Sequence, residues 1–138
     1  MIHVLLTLAL SVQTSPIAFK TVAAGTDSRI EAPRTAVVRT AAEWAALWKE
    51  HGGSGAPQAI DFNETMVIAV FAGTKPSAGH SVEIVRIQAR EGEVVVTYLD
   101  HAPRPSDMVA QMLTQPFHIV SAAARGGRVT FLRAEAKR

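Results

Sequence analysis

The clearest periodic pattern in the chain is a stripe of large side chains at helical spacing. Four of them recur at i, i+3, i+4 and i+7: Trp44, Leu47, Trp48 and His51. Residues at these spacings share one face of a helix. Residues 40–43 read Thr-Ala-Ala-Glu, a capping box that can satisfy free backbone amides where a helix begins. Glycines 52 and 53 suit its end. The pattern predicts a helix over residues 40–51 whose tryptophan face packs on the core.

The apolar patterns downstream of this helix have the short period of strands. Residues 66–71 are a continuous apolar run, which is typical of a strand buried on both faces. Residues 81–90 change the phase of their alternation near Ile84 and Val85, which predicts a β-bulge. The dipeptide Glu91-Gly92 separates this segment from residues 93–100, so the two segments are expected to form a hairpin.

Further strand candidates lie at the two ends of the chain. Residues 117–123 and 128–133 are predicted to form a second hairpin around the glycines at 126 and 127. Residues 17–23 and 36–39 are shorter candidates that precede the helix. Because no strand–helix–strand alternation follows the single helix, we predict an α+β domain. Its expected form is a mostly antiparallel curved sheet or small barrel of about six to seven strands, covered by the helix.

The first residues carry the pattern of a signal peptide. An apolar run over residues 4–10 is broken only by Thr7, and no charged side chain precedes Lys20. Small residues at 9 and 11 suit cleavage before Val12. The run is too short to span a membrane. We predict a periplasmic or secreted protein, with a cytoplasmic one as the alternative. The expected division is a signal peptide at 1–11, an N-terminal strand and linker at 12–29, one domain at 30–134 and a basic tail at 135–138.

Composition narrows the function classes further. A chain of 138 residues is the size of one domain, and 48% apolar residues against 19% charged ones exclude disorder. A net charge of +2 is too small for the phosphate contacts of nucleic-acid binding. The absence of cysteine excludes disulfides, thiolate nucleophiles and cysteine-ligated zinc.

Catalytic and metal-binding motifs do not appear in the sequence. Residues 52–56 lack the last glycine of a nucleophile elbow, and residues 73–76 lack the ending of a phosphate-binding loop. The histidines lie on separate segments without metal-ligand spacing. His51 is expected to offset the helix dipole with positive charge, His118 to be half-buried and Asp61 to cap a turn. We therefore predict no enzymatic activity, no cofactor and no metal.

Two loops between strong strands are the candidate recognition surface, since loops on a rigid sheet often carry binding residues. The residues predicted to contact a protein partner are Lys75, Pro76, Ser77, Gly79, His80, Met108, Gln111, Thr114, Gln115 and Pro116. Both loops contain Pro, Gly or exposed-looking Met residues that a purely structural turn does not need. The alternative is that Met108 and Met112 pack beneath the sheet.

Several spaced motifs resemble the C-terminal domain of the protease complex subunit PrcB family. The first block comprises Asp61, Phe62, Met66, Val67, Phe71, Gly73, Pro76, Gly79, Val82 and Ile84. The second block is the Thr-Gln-Pro-aromatic segment at 114–117 and the strand that follows it, and the helix with Trp44 and Trp48 lies where the family has its tryptophan-bearing helix. The resemblance spans residues 30–132. It marks Trp44, Trp48, Asp61, Phe62, Gly73 and Phe117 as structural positions.

The resemblance implies a small, exported, non-enzymatic domain, in a family named for a subunit that associates with and stabilises a secreted protease complex. We therefore predict an interaction domain that docks on a protein partner, a protease if the family name applies. One alternative is a protease inhibitor, because residues 76–80 loosely resemble one loop of chagasin-like inhibitors, which use three loops at one end of a β-sandwich. The other is a small-ligand barrel, which needs a polar pocket that joins His101 or His118 to Asp61.

Overall fold

A computed structural model describes residues 13–135, so the predicted signal peptide and most of the predicted basic tail lie outside the described residues. The described residues form eight strands and one helix. In chain order these are β1 (Thr14–Pro16), β2 (Phe19–Gly25), β3 (Arg34–Val38), α1 (Ala41–His51), β4 (Thr65–Phe71), β5 (Ser81–Arg90), β6 (Glu93–His101), β7 (Phe117–Ala123) and β8 (Val129–Ala134). The predicted α+β class is confirmed.

The strands form two four-stranded sheets. Sheet A has the order β1-β5-β6-β8, and sheet B has the order β2-β7-β4-β3. Neighbouring strands are antiparallel except β6 and β8, which are parallel. Residues 14–25, predicted as a strand and linker ahead of the domain, supply one edge strand to each sheet. The barrel alternative is wrong, because the two sheets stay separate and pack face to face.

Helix α1 begins where the capping box predicted. Thr40 is extended, and its hydroxyl oxygen accepts a hydrogen bond from the Glu43 amide at 3.2 Å. The Glu43 carboxylate accepts from the Thr40 hydroxyl at 2.9 Å and does not reach the Thr40 amide. At the other end Gly52 has a left-handed φ of 81°, and its amide donates to the carbonyls of Trp48 and Lys49.

Two apolar layers lie on opposite faces of sheet B. Between the sheets, alternate residues of β4 and β7 pack against β5 and β6; the buried members include Met66, Ile68, Val70, Ile84, Ile87, Val96 and Val120. On the other face, the remaining residues of the same strands pack beneath α1; the buried members include Trp44, Leu47, Val67, Ala69, Phe71, Phe117 and Ile119. The prediction that residues 66–71 form a strand buried on both faces is confirmed.

The predicted hairpin and bulge are both present. Strands β5 and β6 pair through a tight turn in which Glu91 and Gly92 have φ values of 48° and 78°. Positive φ at both central residues matches the twist of the flanking strands. The register of this pair shifts between Ile84 and Arg86, at the position where the apolar alternation changes phase.

The predicted second hairpin is wrong, because β7 and β8 belong to different sheets. β7 lies between β2 and β4 in sheet B, whereas β8 crosses to sheet A and runs parallel to β6. Gly127 allows this crossing: its φ is 94°, and a Cβ there would lie 2.6 Å from the Gly92 carbonyl oxygen. The strand count is eight and not six to seven because residues 14–25 split into two strands.

The two tryptophans of α1 differ in burial. Trp44 is 3% exposed and its indole N–H donates to the Gln58 carbonyl at 2.9 Å. Trp48 is half-buried at the margin of the same layer, and its N–H donates to the Gly55 carbonyl at 3.1 Å. The prediction that the tryptophan face packs on the core therefore holds fully for Trp44 and partly for Trp48.

We expect Trp44→Ala to lower the free energy of unfolding by about 3–5 kcal/mol, since it leaves a cavity beneath α1. Trp48→Ala is expected to cost roughly 1–3 kcal/mol, because part of its ring already faces water. Urea unfolding followed by circular dichroism measures both values. Equal losses for the two variants would contradict this ranking.

Candidate functional site

The two predicted loops lie side by side in the structure. The Lys75 amide donates to the Thr114 carbonyl at 2.7 Å, and the Thr114 amide returns a bond to the Lys75 carbonyl at 3.1 Å. The Ala78 amide also donates to the Ala110 carbonyl at 3.0 Å. Three backbone bonds thus join segments that are more than thirty residues apart in sequence into one surface. We call residues 74–80 and 102–116 the paired loops.

A third segment, residues 26–31, completes this end of the domain. The Gln115 amide donates to the Thr26 carbonyl at 2.7 Å, and the Ser28 amide donates to the Gln115 carbonyl at 3.2 Å. On the other side, the Thr74 amide donates to the Glu31 carbonyl at 2.9 Å. Sequence reasoning missed this segment, because its contacts are made by the backbone and no motif marks them.

Three of the residues predicted to contact a partner serve the structure of the loops. Ser77 and Thr114 are buried, and the Thr114 hydroxyl donates to the Ser77 carbonyl at 2.9 Å. Pro116 is fully buried, and its carbonyl accepts from the Ala72 amide at 2.9 Å. Burial keeps these three side chains away from any partner. Their selection as contact residues is therefore corrected to a role in holding the loops together.

Gly79 is the position at which the paired loops come closest. Its φ is 89°, and a Cβ there would lie 2.9 Å from Cγ1 of Val109 and 3.0 Å from Cβ of Pro103. Both the backbone conformation and the close approach require glycine. The predicted contact residue Gly79 thus fixes the shape of the surface.

The paired loops expose three large apolar side chains. Met108 is fully exposed, and Met112 and Leu113 are 57% and 68% exposed. The alternative that the two methionines pack beneath the sheet is wrong. We call Met108, Met112 and Leu113 the apolar tip. Met112 and Leu113 also line an open groove of about 460 Å³ whose opposite wall is the segment 26–31.

The remaining predicted contact residues lie elsewhere in the paired loops. Pro76 and Gln111 are exposed, and Gln115 and His80 are partly exposed. The amide nitrogen of Gln115 donates to the Thr74 hydroxyl at 3.2 Å, which ties it to the neighbouring loop. Lys75 is partly buried, and its ammonium group lies 3.2 Å from the Asp100 carboxylate. The structure therefore brings these residues to one end of the domain, and their contact with a partner stays a prediction.

His51 does not act as a positive charge at the end of α1, as the sequence suggested. It is 5% exposed and packs edge-on against Phe117, with 4.2 Å between ring centroids. Its Nδ1 lies 2.8 Å from the Ser28 hydroxyl oxygen. Burial lowers the pKa of His51, and the opposing influence of the Asp27 carboxylate is smaller. The neutral ring therefore fills the aromatic layer and links it to segment 26–31.

His118 is buried, where half-burial was expected, and it connects the two sheets. Its Nδ1 accepts a hydrogen bond from the Ile84 amide at 2.8 Å, at the bulge of β5. Because Nδ1 accepts, the ring proton lies on Nε2, which donates to the Thr21 hydroxyl oxygen at 2.9 Å. Burial lowers the pKa of His118, and the nearby Glu83 carboxylate opposes this shift. A protonated ring could not accept the Ile84 bond.

The polar pocket required by the small-ligand alternative is not formed in the described residues. Both ring nitrogens of His118 are hydrogen-bonded, one to the Ile84 amide and the other to the Thr21 hydroxyl. His101 lies 3.8 Å from the Glu83 carboxylate. Asp61 lies in the turn before β4. Its side chain accepts a hydrogen bond from the Asn63 amide at 3.0 Å, and its backbone carbonyl accepts one from the Thr65 amide. These bonds confirm its turn-capping role. Within residues 13–135, no cluster of three or more His, Asp or Glu residues is arranged to hold a metal ion.

Phe62, Gly73 and Phe117, which the sequence marked as structural positions, all contribute to packing or to the backbone conformation. Phe117 is buried beneath α1, and Phe62 is partly buried against the same layer. Gly73 has a φ of 78°, and a Cβ there would lie 2.8 Å from the Pro33 ring. None of the helices among the described residues is long and apolar enough to cross a membrane.

These features define an α+β domain built from two packed sheets and a helix. Three loops that are joined by backbone hydrogen bonds lie at one end of it. Residues 66–122 match the family model described as PrcB C-terminal. This segment runs from β4 to β7 and is similar to that family. It contains the predicted motif positions from Met66 to Phe117, whereas Asp61 and Phe62 of the first block precede it. The helix with its two tryptophans lies outside the match. No curated protein and no solved structure showed a significant match to the chain.

We expect the domain to lose stability as the pH falls below about 6.5, the ordinary pKa of histidine. Both His51 and His118 have lowered pKa values in the folded state, so the unfolded chain takes up protons first on acidification. Each group contributes a slope of up to about 1.4 kcal/mol per pH unit, and the contribution is fully present above that pKa. Urea unfolding at intervals from pH 7.5 to 5 measures it.

His118→Asn is the matched variant, since Oδ1 of Asn can accept the Ile84 bond without titrating. The variant is expected to show a flatter pH dependence than the unaltered domain. Identical slopes for both proteins would show that His118 makes no contribution.

Proposed function

We propose that this chain is a non-enzymatic domain that binds a protein partner through the apolar tip and the paired loops. The observation that carries the proposal is the exposure of Met108, Met112 and Leu113 within one loop, which backbone bonds fix to its neighbour. Apolar side chains grouped on a surface mark sites of protein contact. Methionine also adapts its shape to a partner, because its side chain is unbranched and polarizable.

The loops are held in place before any partner arrives. Gly79 packs on Val109 and Pro103, and the Thr114 hydroxyl bonds to the Ser77 carbonyl. A surface that is already ordered loses little conformational entropy on binding. This order supports docking on a partner in preference to folding around it.

The match of residues 66–122 to the PrcB C-terminal family model supports a protease as the partner, and we propose that the domain associates with and stabilises one. We further propose that the chain is exported to the periplasm or secreted. The apolar run at residues 4–10 and the small residues before Val12 support this location.

The first experiment is an affinity capture from the envelope fraction of the native host, followed by mass spectrometry of bait and partner. We expect a protease to be recovered in stoichiometric amount, and the bait to begin near Val12. The triple variant Met108→Ser, Met112→Ser and Leu113→Ser is expected to lose the partner. Val85→Ser, which alters an exposed apolar residue on β5, is the matched control and should retain it.

Thermal unfolding of both variants verifies that the fold is intact. A partner that is retained by the folded triple variant would remove the apolar tip as the binding surface. A full-length cytoplasmic bait would contradict export, and this result is independent of the surface.

One arrangement favours a protease inhibitor as the second candidate. Three segments meet at one end of the two-sheet sandwich, residues 26–31, 74–80 and 102–116, which is the arrangement used by the chagasin-like inhibitors that residues 76–80 resemble. A panel of papain-like and serine proteases, assayed with about 10 μM domain, separates the two candidates. Inhibition that the triple variant abolishes would support this second function, and full activity of the proteases would exclude it.

A further inference from the structure

The two sheets leave one side of the sandwich open, between the edge strands β3 and β8. The end of β3 lies close to the start of β8, because the guanidinium of Arg39, the residue after β3, donates to the carbonyls of Arg125 and Gly127 in the segment before β8 at 3.2 and 2.9 Å. A groove of about 320 Å³ runs between the two strands, lined by residues of β3, β4, β6 and β8. We call this the open side. It is distinct from the apolar tip.

The edge strands on the opposite side carry features that block further pairing. β1 is three residues long and ends in Pro16, and β2 has a register shift between Thr21 and Ala23. Short length, proline and bulges are the usual protection of a sheet edge. β8 has none of them: its six residues pair with Val94–Leu99 of β6 in unbroken register.

The outer edge of β8 presents regularly spaced backbone groups. The Arg128 carbonyl accepts from the Val94 amide at 2.9 Å, so Arg128 faces β6. Because backbone groups alternate in direction along a strand, the N–H and C=O groups of Val129, Phe131 and Arg133 point outward. Among the described residues, no strand pairs with this edge.

Positive charge predominates along the open side. The two edge strands with their adjoining residues, 33–39 and 124–135, contain five arginines and one carboxylate: Arg34, Arg39, Arg125, Arg128, Arg133 and Glu135. Carboxylates of neighbouring elements pair with three of these arginines; the pairs are Arg34–Glu50, Arg128–Glu93 and Arg133–Asp100. Lys75 also pairs with Asp100, so six cations face four carboxylates. The excess favours an acidic occupant.

We propose that the outer edge of β8 binds an extended acidic segment of a protein partner, which adds to sheet A as a fifth strand. Backbone bonds to Val129, Phe131 and Arg133 would hold the segment, and its acidic side chains on one face would lie against the groove. A second copy of this chain is a poor occupant. Pairing of two β8 strands would bring two open sides, each with the same excess of positive charge, next to one another, and like charges repel.

The test uses two synthetic nine-residue peptides. In the first, glutamate alternates with threonine and valine; the second has the same sequence with lysine in place of each glutamate. Amide NMR spectra of the isotope-labelled domain are recorded during titration with each. We expect the acidic peptide to shift the β8 signals and to slow amide hydrogen exchange at Val129, Phe131 and Arg133 by about tenfold at saturation. The lysine peptide should leave these signals unchanged.

Charge variants test the contribution of the open side. Arg133→Glu is expected to weaken binding of the acidic peptide by about tenfold, and Arg133→Gln by about threefold. The Arg133→Gln variant is included because a glutamate at position 133 would lie beside the Asp100 carboxylate, and the repulsion could disturb the fold. Arg86→Glu is the matched control, since Arg86 is an exposed residue of the same sheet on β5, and the net charge changes equally.

Three results would overturn the proposal. One is failure of the acidic peptide to bind at millimolar concentration, and another is equal weakening by Arg133→Glu and Arg86→Glu, which would indicate non-specific attraction. The third is a set of perturbed signals centred on the paired loops or on β3. The triple variant of the apolar tip is expected to bind the peptide normally, so this site and the proposed function can fail independently.

Discussion

Strands β4 and β7 are buried on both faces, and each face requires its own apolar layer. Side chains alternate along a strand, so Met66, Ile68 and Val70 face one way while Val67, Ala69 and Phe71 face the other. Sheet A covers the first set and α1 covers the second. The order of layers, sheet A then sheet B then helix, follows from this one requirement. A closed barrel would enclose one set and leave the other facing outward.

The connection between the sheets includes a polar element as well as apolar packing. The bulge of β5 leaves the Ile84 amide pointing into the buried space, and an unpaired amide there would be costly. His118 of β7 accepts that hydrogen bond, and its other nitrogen bonds to Thr21 at the edge of sheet B. One neutral ring thereby ties β2, β7 and β5 together. Its buried position explains why a histidine that alternates with core residues serves the fold and not a ligand.

The rigid sandwich presents two surfaces of different character. The paired loops at one end display apolar side chains on a backbone held by hydrogen bonds to segment 26–31, which suits contact with a shaped protein surface. The open side displays unpaired strand backbone and an excess of arginine, which suits an extended acidic segment. Lys75 links the two regions, because it lies in the paired loops while its ammonium group contacts Asp100 of β6.

The sequence by itself determined the elements whose causes are local. Thr40 and Glu43 cap α1, Glu91-Gly92 makes the hairpin turn, and the phase change at Ile84 marks the bulge. The spaced motifs predicted the family model that residues 66–122 match. Only the tertiary structure decided that β8 pairs with β6 and not with β7, that residues 26–31 join the loops, and that Met108 is exposed while Ser77 is buried. These outcomes depend on which distant segments meet. A local pattern of apolar and polar residues shows that a strand or loop has a face to bury, but the path of the chain through space determines what covers it.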